Sequence, residues 1–205
     1  MFDQIAVIIR AVRERAEAAE GLLRLVRLFA PHARISWHAP GRTVPESYAD
    51  ALTLGSDRPY VLQLEDDIAL SPRFGEDAPR LVHEAFAVDR VALLSLYSGR
   101  RVKAGETLPA EPTLEVLPGS RFLMAQAIAM RSDDVPGHNE FMLRFTEIRP
   151  YATDTATAAW LASKRLRYAR AWPSIVQHLD VPSMSGHRPH PNRRSQSFDA
   201  AYGDG

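Results

Sequence analysis

Apolar residues fall into short β-branched runs separated by amphipathic stretches. Ile5-Ala6-Val7-Ile8-Ile9 has no polar interruption and predicts a buried first strand. Residues 14–30 follow at helical spacing, with Leu22, Leu25, Val26 and Phe29 as the expected inward set and Pro31 as the stop. Arg34–His38 predicts a second strand, ended by Pro40-Gly41. Thr43-Val44-Pro45-Glu46 has the form of a capping box, so a helix is expected from there to about Leu54. Residues 59–64 predict a third strand, 77–88 a helix with Leu81, Ala85 and Phe86 inward, and Val91–Tyr97 a fourth strand. This alternation argues for an α/β fold with a mostly parallel central sheet flanked by helices.

The second half carries weaker patterning. Residues 98–120, rich in Gly, Pro, Arg and Glu, predict a long loop or irregular hairpin. Phe122–Met130 predicts a strand, and 131–150 is mixed and polar. Asp154–Lys164 predicts a short helix with Ala156, Ala159 and Trp160 on one face, and Leu166–Ala171 a last strand. From Pro173 the chain predicts a loop-rich C-terminal tail, since 183–199 holds almost no core-forming residues. With no internal repeat and no clear linker, one domain over 1–205 is the expectation.

Composition removes several function classes. Of 205 residues, 25 are basic and 25 acidic, so any anion site must be local and duplex nucleic acid finds no general attraction. The absence of cysteine excludes disulfides, thiolate metal sites and a cysteine nucleophile. No apolar run reaches the roughly 18 residues of a membrane span. Asp3, Arg10 and Arg13 interrupt any secretory pattern, and the expected location is cytoplasmic.

The chemistry concentrates in Tyr60-Val61-Leu62-Gln63-Leu64-Glu65-Asp66-Asp67, an apolar run that ends on three carboxylates. Ligands of parallel sheets bind beyond the carboxyl ends of strands. Strand alternation puts Gln63, Glu65 and Asp67 on one side and Asp66 on the other. Carboxylates there suit a hard divalent cation that takes phosphate oxygens and water as its other ligands. An Asp-Asp pair also forms turns with no ligand at all.

Three segments carry a resemblance to glycosyltransferases of the GT-A fold. Glu65-Asp66-Asp67 resembles their DXD-like motif, although it is not a strict Asp-x-Asp. Trp172-Pro173-Ser174-Ile175-Val176-Gln177-His178 is similar to a segment of small bacterial transferases of the lipopolysaccharide and N-acetylglucosaminyltransferase-like groups. The third segment runs from Tyr151 through Asp154 to Trp160-Leu161, an acid opening a helix. The resemblance implies a Rossmann-like nucleotide-binding half over 1–100, an acceptor half over 101–172 and an active-site tail over 173–205. It implies a nucleotide-diphosphate sugar donor and a metal cofactor, Mn2+ or Mg2+. Asp67 would be a metal ligand and His178 a metal ligand or diphosphate contact, Glu65 would face the ribose or the metal's water shell, and Asp66 the donor sugar.

An inverting transferase needs a general base for the acceptor hydroxyl, and Asp154 is the first candidate. Glu147 is the reserve, with Asp133 and Asp134 further back. Asp154 also suits a helix start electrostatically, with no chemistry. Arg10 and Arg13, at the end of the first strand, are candidate donor contacts, and the loop His38–Arg42 a candidate lining of the base pocket. In the tail, His187 and Arg188 are candidate contacts to the departing diphosphate. Arg100, Arg101 and Lys103, with the tail arginines, keep a nucleic-acid acceptor open beside saccharide, lipid-linked sugar and protein. A nucleotidyltransferase is the alternative enzyme class, but it expects a Gly-rich loop where this chain has Arg10-Ala11-Val12-Arg13. A non-catalytic nucleotide-sugar-binding domain is the alternative outside enzymes.

Overall fold

The computed structural model describes residues 2–123, 125–148, 153–179, 181 and 194–203. In chain order the first half holds β1 (Ile5–Ala11), α1 (Ala16–Arg27), β2 (Arg34–Trp37), α2 (Val44–Leu54), β3 (Tyr60–Glu65), β4 (Ile68–Leu70), α3 (Phe74–Ala87) and β5 (Val91–Ser95). The second half holds β6 (Thr113–Pro118), β7 (Ala127–Arg131), α4 (Val135–Ile148), α5 (Thr153–Ser163), β8 (Arg167–Trp172), β9 (Val176–His178) and α6 (Gln196–Tyr202).

Among the described residues, seven strands form one sheet in the order β2-β1-β3-β7-β5-β8-β6. Strand β1 pairs parallel with β2 and β3, and β5 parallel with β8. Antiparallel β7 sits between β3 and β5, and antiparallel β6 closes the edge on β8. The sheet is therefore mostly parallel and flanked by helices, as the alternation predicts.

The β1 run is uninterrupted because both of its faces are covered. Val7 and Ile9 join Leu22, Val26, Phe74 and Leu81 in the core under α1 and α3. Ile8 joins Tyr48, Leu52, Met142 and Trp160 in the core under α2, α4 and α5. Leu62 and Leu64 divide from Val61 in the same way along β3. On α1 the inward set is Ala19, Leu22 and Val26, whereas Leu25 is 46% exposed, against expectation.

Three other expectations are corrected. The long loop or irregular hairpin predicted over 98–120 contains β6, an edge strand that pairs with the distant β8, and this pairing supplies what its sequence lacks. The mixed stretch 131–150 contains α4, whose buried positions Val135, His138, Asn139, Met142 and Thr146 recur at helical spacing. Three of those five are polar, so the periodicity is invisible to an apolar pattern. The region after Pro173 is not wholly loop-like: β9 pairs with β4, and α6 buries Phe198. No helix among the described residues is long and apolar enough to cross a membrane.

Candidate active site

The parallel register of β1 and β3 sets Arg10 directly opposite Glu65. The Arg10 Nη2 donates to Glu65 Oε1 at 2.6 Å. Burial works against the Arg10 charge, but the attraction of Glu65, with help from Tyr48 and Asp66, outweighs it and raises its pKa.

Strand β3 ends at Glu65, and the chain bends through Asp66 and Asp67 before β4. The bend overrides the alternation expected of a continuous strand, so both aspartates meet the same partner. The Arg15 Nη2 lies 2.6 Å from Asp66 Oδ1, and its Nη1 lies 2.7 Å from Asp67 Oδ2. Arg15 reaches them from the 3₁₀ turn Arg13–Arg15 that follows β1. The backbone N–H of Val12 donates to the other Asp66 oxygen at 2.9 Å. Asp66 is 3% exposed and Asp67 7% exposed. Burial pushes the Asp66 carboxyl above its ordinary pKa, and the Val12 N–H and Arg15 oppose that rise.

The β4–β9 ladder pairs Ile68 with His178, which brings the imidazole beside the acids. His178 Nε2 lies 3.7 Å from Asp67 Oδ2, and the N–H of Leu179 donates to the Asp67 carbonyl at 2.8 Å. Among the described residues no group of three or more His, Asp and Glu forms a cation cage. Asp67 Oδ1 and His178 Nδ1 are nevertheless buried without hydrogen-bond partners. The pair that does face at 3.7 Å, Asp67 Oδ2 and His178 Nε2, offers one oxygen and one nitrogen donor, a set that suits a cation drawing its remaining ligands from phosphate and water. Asp67 and His178 would thus fit a divalent ion as two of its ligands, the rest coming from elsewhere.

Around this centre, the Arg13 guanidinium stacks 4.3 Å from the Trp37 ring centre at the end of β2, and Arg10 lies 5.9 Å from that of Tyr48. Burial pushes the Tyr48 phenol well above its ordinary range, with Asp154 adding to the rise, Arg10 opposing it and Glu65 adding again. Tyr48 therefore stays a neutral phenol, close enough to Asp154, Arg10 and Glu65 for each charge to act on its ionisation. Asp154 is half-buried in the first turn of α5, where the helix dipole favours its charge.

A cleft of about 630 Å³ opens beside the end of β2, lined by His38, Arg42, Thr43, Glu46, Leu143 and Glu147 among others. Two of its lining residues form the capping box: Thr43 N–H donates to Glu46 Oε2 at 2.7 Å, and Glu46 N–H to Thr43 Oγ1 at 3.3 Å. Glu147, the reserve base, lines this cleft. Asp133 and Asp134 follow β7, whose Arg131 pairs with Tyr60 at the amino end of β3, so they sit at the opposite end of the sheet from Glu65.

His187 and Arg188 lie outside the described residues. The chain that resumes after them is tied to β9: Ser195 N–H donates to Gln177 Oε1 at 2.7 Å, and Gln177 Nε2 to Asp199 Oδ1 at 2.7 Å. Arg100 pairs with Glu106 at 2.6 Å and Glu115 at 3.3 Å and stacks on Trp172, so its charge is answered locally. Sequence reasoning missed Arg15, Trp37 and Tyr48 as neighbours of the site. Only the position of Arg15 just past a strand end hinted at it.

No family model matches the sequence, and no curated protein does. In three dimensions the chain is similar to a glycosyltransferase involved in the glycosylation of the major capsid of PBCV-1. That likeness has a TM-score of 0.55 at 10% identity and covers 97% of this chain and 91% of that one. The chain has a GT-A-like fold. It is also similar to S. aureus TarS 1–349, with a TM-score of 0.43 at 12% identity over 82% of this chain and 57% of that one. The glycosyltransferase GlyE of Streptococcus pneumoniae TIGR4 gives a TM-score of 0.43 at 10% identity over 82% of this chain and 45% of its own.

Proposed function

We propose that the protein is a glycosyltransferase that moves a sugar from a nucleotide-diphosphate donor to an acceptor hydroxyl, with Mn2+ or Mg2+ as cofactor. The observation that carries this reading is the convergence of Glu65, Asp66, Asp67 and His178 at the carboxyl end of β3 in a glycosyltransferase-like fold. Asp67 and His178 would hold the cation, which when bound offsets charge on the diphosphate. Arg10, ordered by Glu65, is suited to orient the donor, and Asp66 to receive hydroxyls of its sugar. The exposed Arg13, already stacked on Trp37, is suited to the nucleotide side.

Asp154 is the general base of this reading. The acceptor oxygen forms a bond to the anomeric carbon as its proton passes to the Asp154 carboxylate. The bond from that carbon to the diphosphate oxygen breaks, and its electron pair leaves on the diphosphate. His187 and Arg188 are proposed to receive that charge. The acceptor is proposed to be a saccharide ahead of protein or modified nucleic acid.

A panel of nucleotide-diphosphate sugars, screened by thermal shift with and without MnCl2, tests the reading. One donor should raise the melting temperature only with the cation. The same mixture should slowly release nucleoside diphosphate. A donor that stabilises the protein but is never turned over with any acceptor would identify a non-catalytic binding domain. No stabilisation by any donor would remove the proposal.

A further inference from the structure

Arg15 is the charged residue of the acidic centre to which the proposed reaction assigns no task. Its guanidinium grips Asp66 and Asp67 together at 2.6 and 2.7 Å. The Asp67 oxygen that it holds is the one that faces His178 at 3.7 Å. A divalent cation bound to the Asp67 carboxylate would therefore share that group with a positive charge already there. Two cations on one carboxylate repel each other, and a buried setting strengthens that repulsion.

The geometry favours Arg15 as the partner that leaves. Its side chain is 20% exposed, against 1% for Asp66 and 8% for Asp67. It stands on a short 3₁₀ turn with no buried residue. Its Nε is buried without a hydrogen-bond partner, so the grip on the acids runs through the two terminal nitrogens. Asp66 would keep the Val12 N–H after Arg15 departs. Asp67 already has an unpartnered oxygen and would need a replacement cation.

We propose that Arg15 is a resident counter-cation that competes with the metal. It holds the two aspartates in the donor-free protein, so the site takes up a divalent ion weakly on its own. The ion enters together with the diphosphate, whose oxygens accept the displaced guanidinium. Metal and donor then raise each other's affinity by the same factor. Arg15 is a positioning residue in this scheme, and the scheme rests on the proposed metal-dependent donor site.

The test is a titration with Mn2+ alone, followed by the electron paramagnetic resonance of the free ion. The proteins are wild type, R15Q, R15K and R15Q/D67N, each checked for folding by circular dichroism. R15Q should bind Mn2+ about tenfold tighter than wild type, the size expected for losing one charge-assisted contact. R15K, whose ammonium is a point charge that cannot grip both acids as a fork does, should fall between. The gain should vanish in R15Q/D67N. A merely structural Arg15 would give the opposite sign, because its loss would disorder the ligands and weaken the metal. Folded R15Q that binds no tighter than wild type overturns the proposal, and R15K decides in the same way should R15Q not fold. If wild type binds Mn2+ with inorganic pyrophosphate present and R15Q gains nothing, only the competition is wrong. If neither protein binds Mn2+ with or without pyrophosphate, the metal assignment falls as well.

Discussion

Arg10 on β1 and Glu65 on β3 are direct register partners, and their side chains meet at 2.6 Å where the two parallel strands end. Their side chains are 18% and 21% exposed, so the pair lies between a surface ion pair and a fully buried one. It ties the start of the acidic triplet to the strand that leads into Arg13 and Arg15.

Removing one partner should therefore cost more than a surface pair and less than a buried one. R10Q and E65Q should each lower the unfolding free energy by about 2 kcal/mol in urea titrations. The double variant R10Q/E65Q should recover part of that loss, because neither residue then leaves an unanswered charge. Equal and additive losses would show that the pair contributes nothing of its own.

Asp67 and His178 should control cation-dependent donor binding together. In D67N the stabilisation of the protein by a matched donor with Mn2+ should disappear, and in H178A it should fall by about tenfold or more in affinity. Donor binding without the cation should change much less. Calorimetric titration of the donor at fixed Mn2+ reads both effects.

Asp154 should matter to turnover rather than to donor binding. D154N should lower kcat by about 10²–10⁴-fold while the donor KM stays within a few-fold of wild type. A variant that loses donor affinity and turnover in equal measure would instead assign Asp154 to binding. Glu147, exposed in the cleft beside α2, would then be the next carboxylate to test.

His138 should make stability fall with acid. Burial lowers its pKa from 6.5 to about 4, and the hydrogen bond to Asn139 only partly opposes this. The unfolded chain therefore takes up a proton as pH falls below about 6.5, while the native imidazole stays neutral until about 4. Its contribution is complete above that window, is lost across it and changes no further below it. The loss amounts to about 3 kcal/mol. Urea titrations at pH 7, 5.5 and 4 should show a steeper decline in wild type than in H138Q.

Much of the first half was legible because its signals are local. The capping box fixed the start of α2 through contacts within four residues, Thr43 to Glu46. The uninterrupted run in β1 announced a strand covered on both faces. The apolar stretch ending on Glu65-Asp66-Asp67 announced a strand end with a cluster of charge. The helix α4 was not legible, because its core face carries His138, Asn139 and Thr146. The first two are satisfied by distant partners the sequence cannot name, Thr157 for His138 and the Ala49 carbonyl for Asn139, and Thr146 by the Met142 carbonyl of its own helix.

The sequence alone determined the strand–helix alternation, the acidic terminus of β3 and the chemical types available to the site. Those features depend on periodicity and on neighbours a few positions apart. Tertiary structure decided that β4 and β9 pair, that His178 thereby faces Asp67, and that Arg15 rather than solvent answers Asp66 and Asp67. Three-residue strands carry too little local preference to announce themselves, so their pairing exists only once the rest of the sheet is in place. A contact between residues 15 and 67 is set by the register of β1 against β3, and that register is a property of the folded sheet.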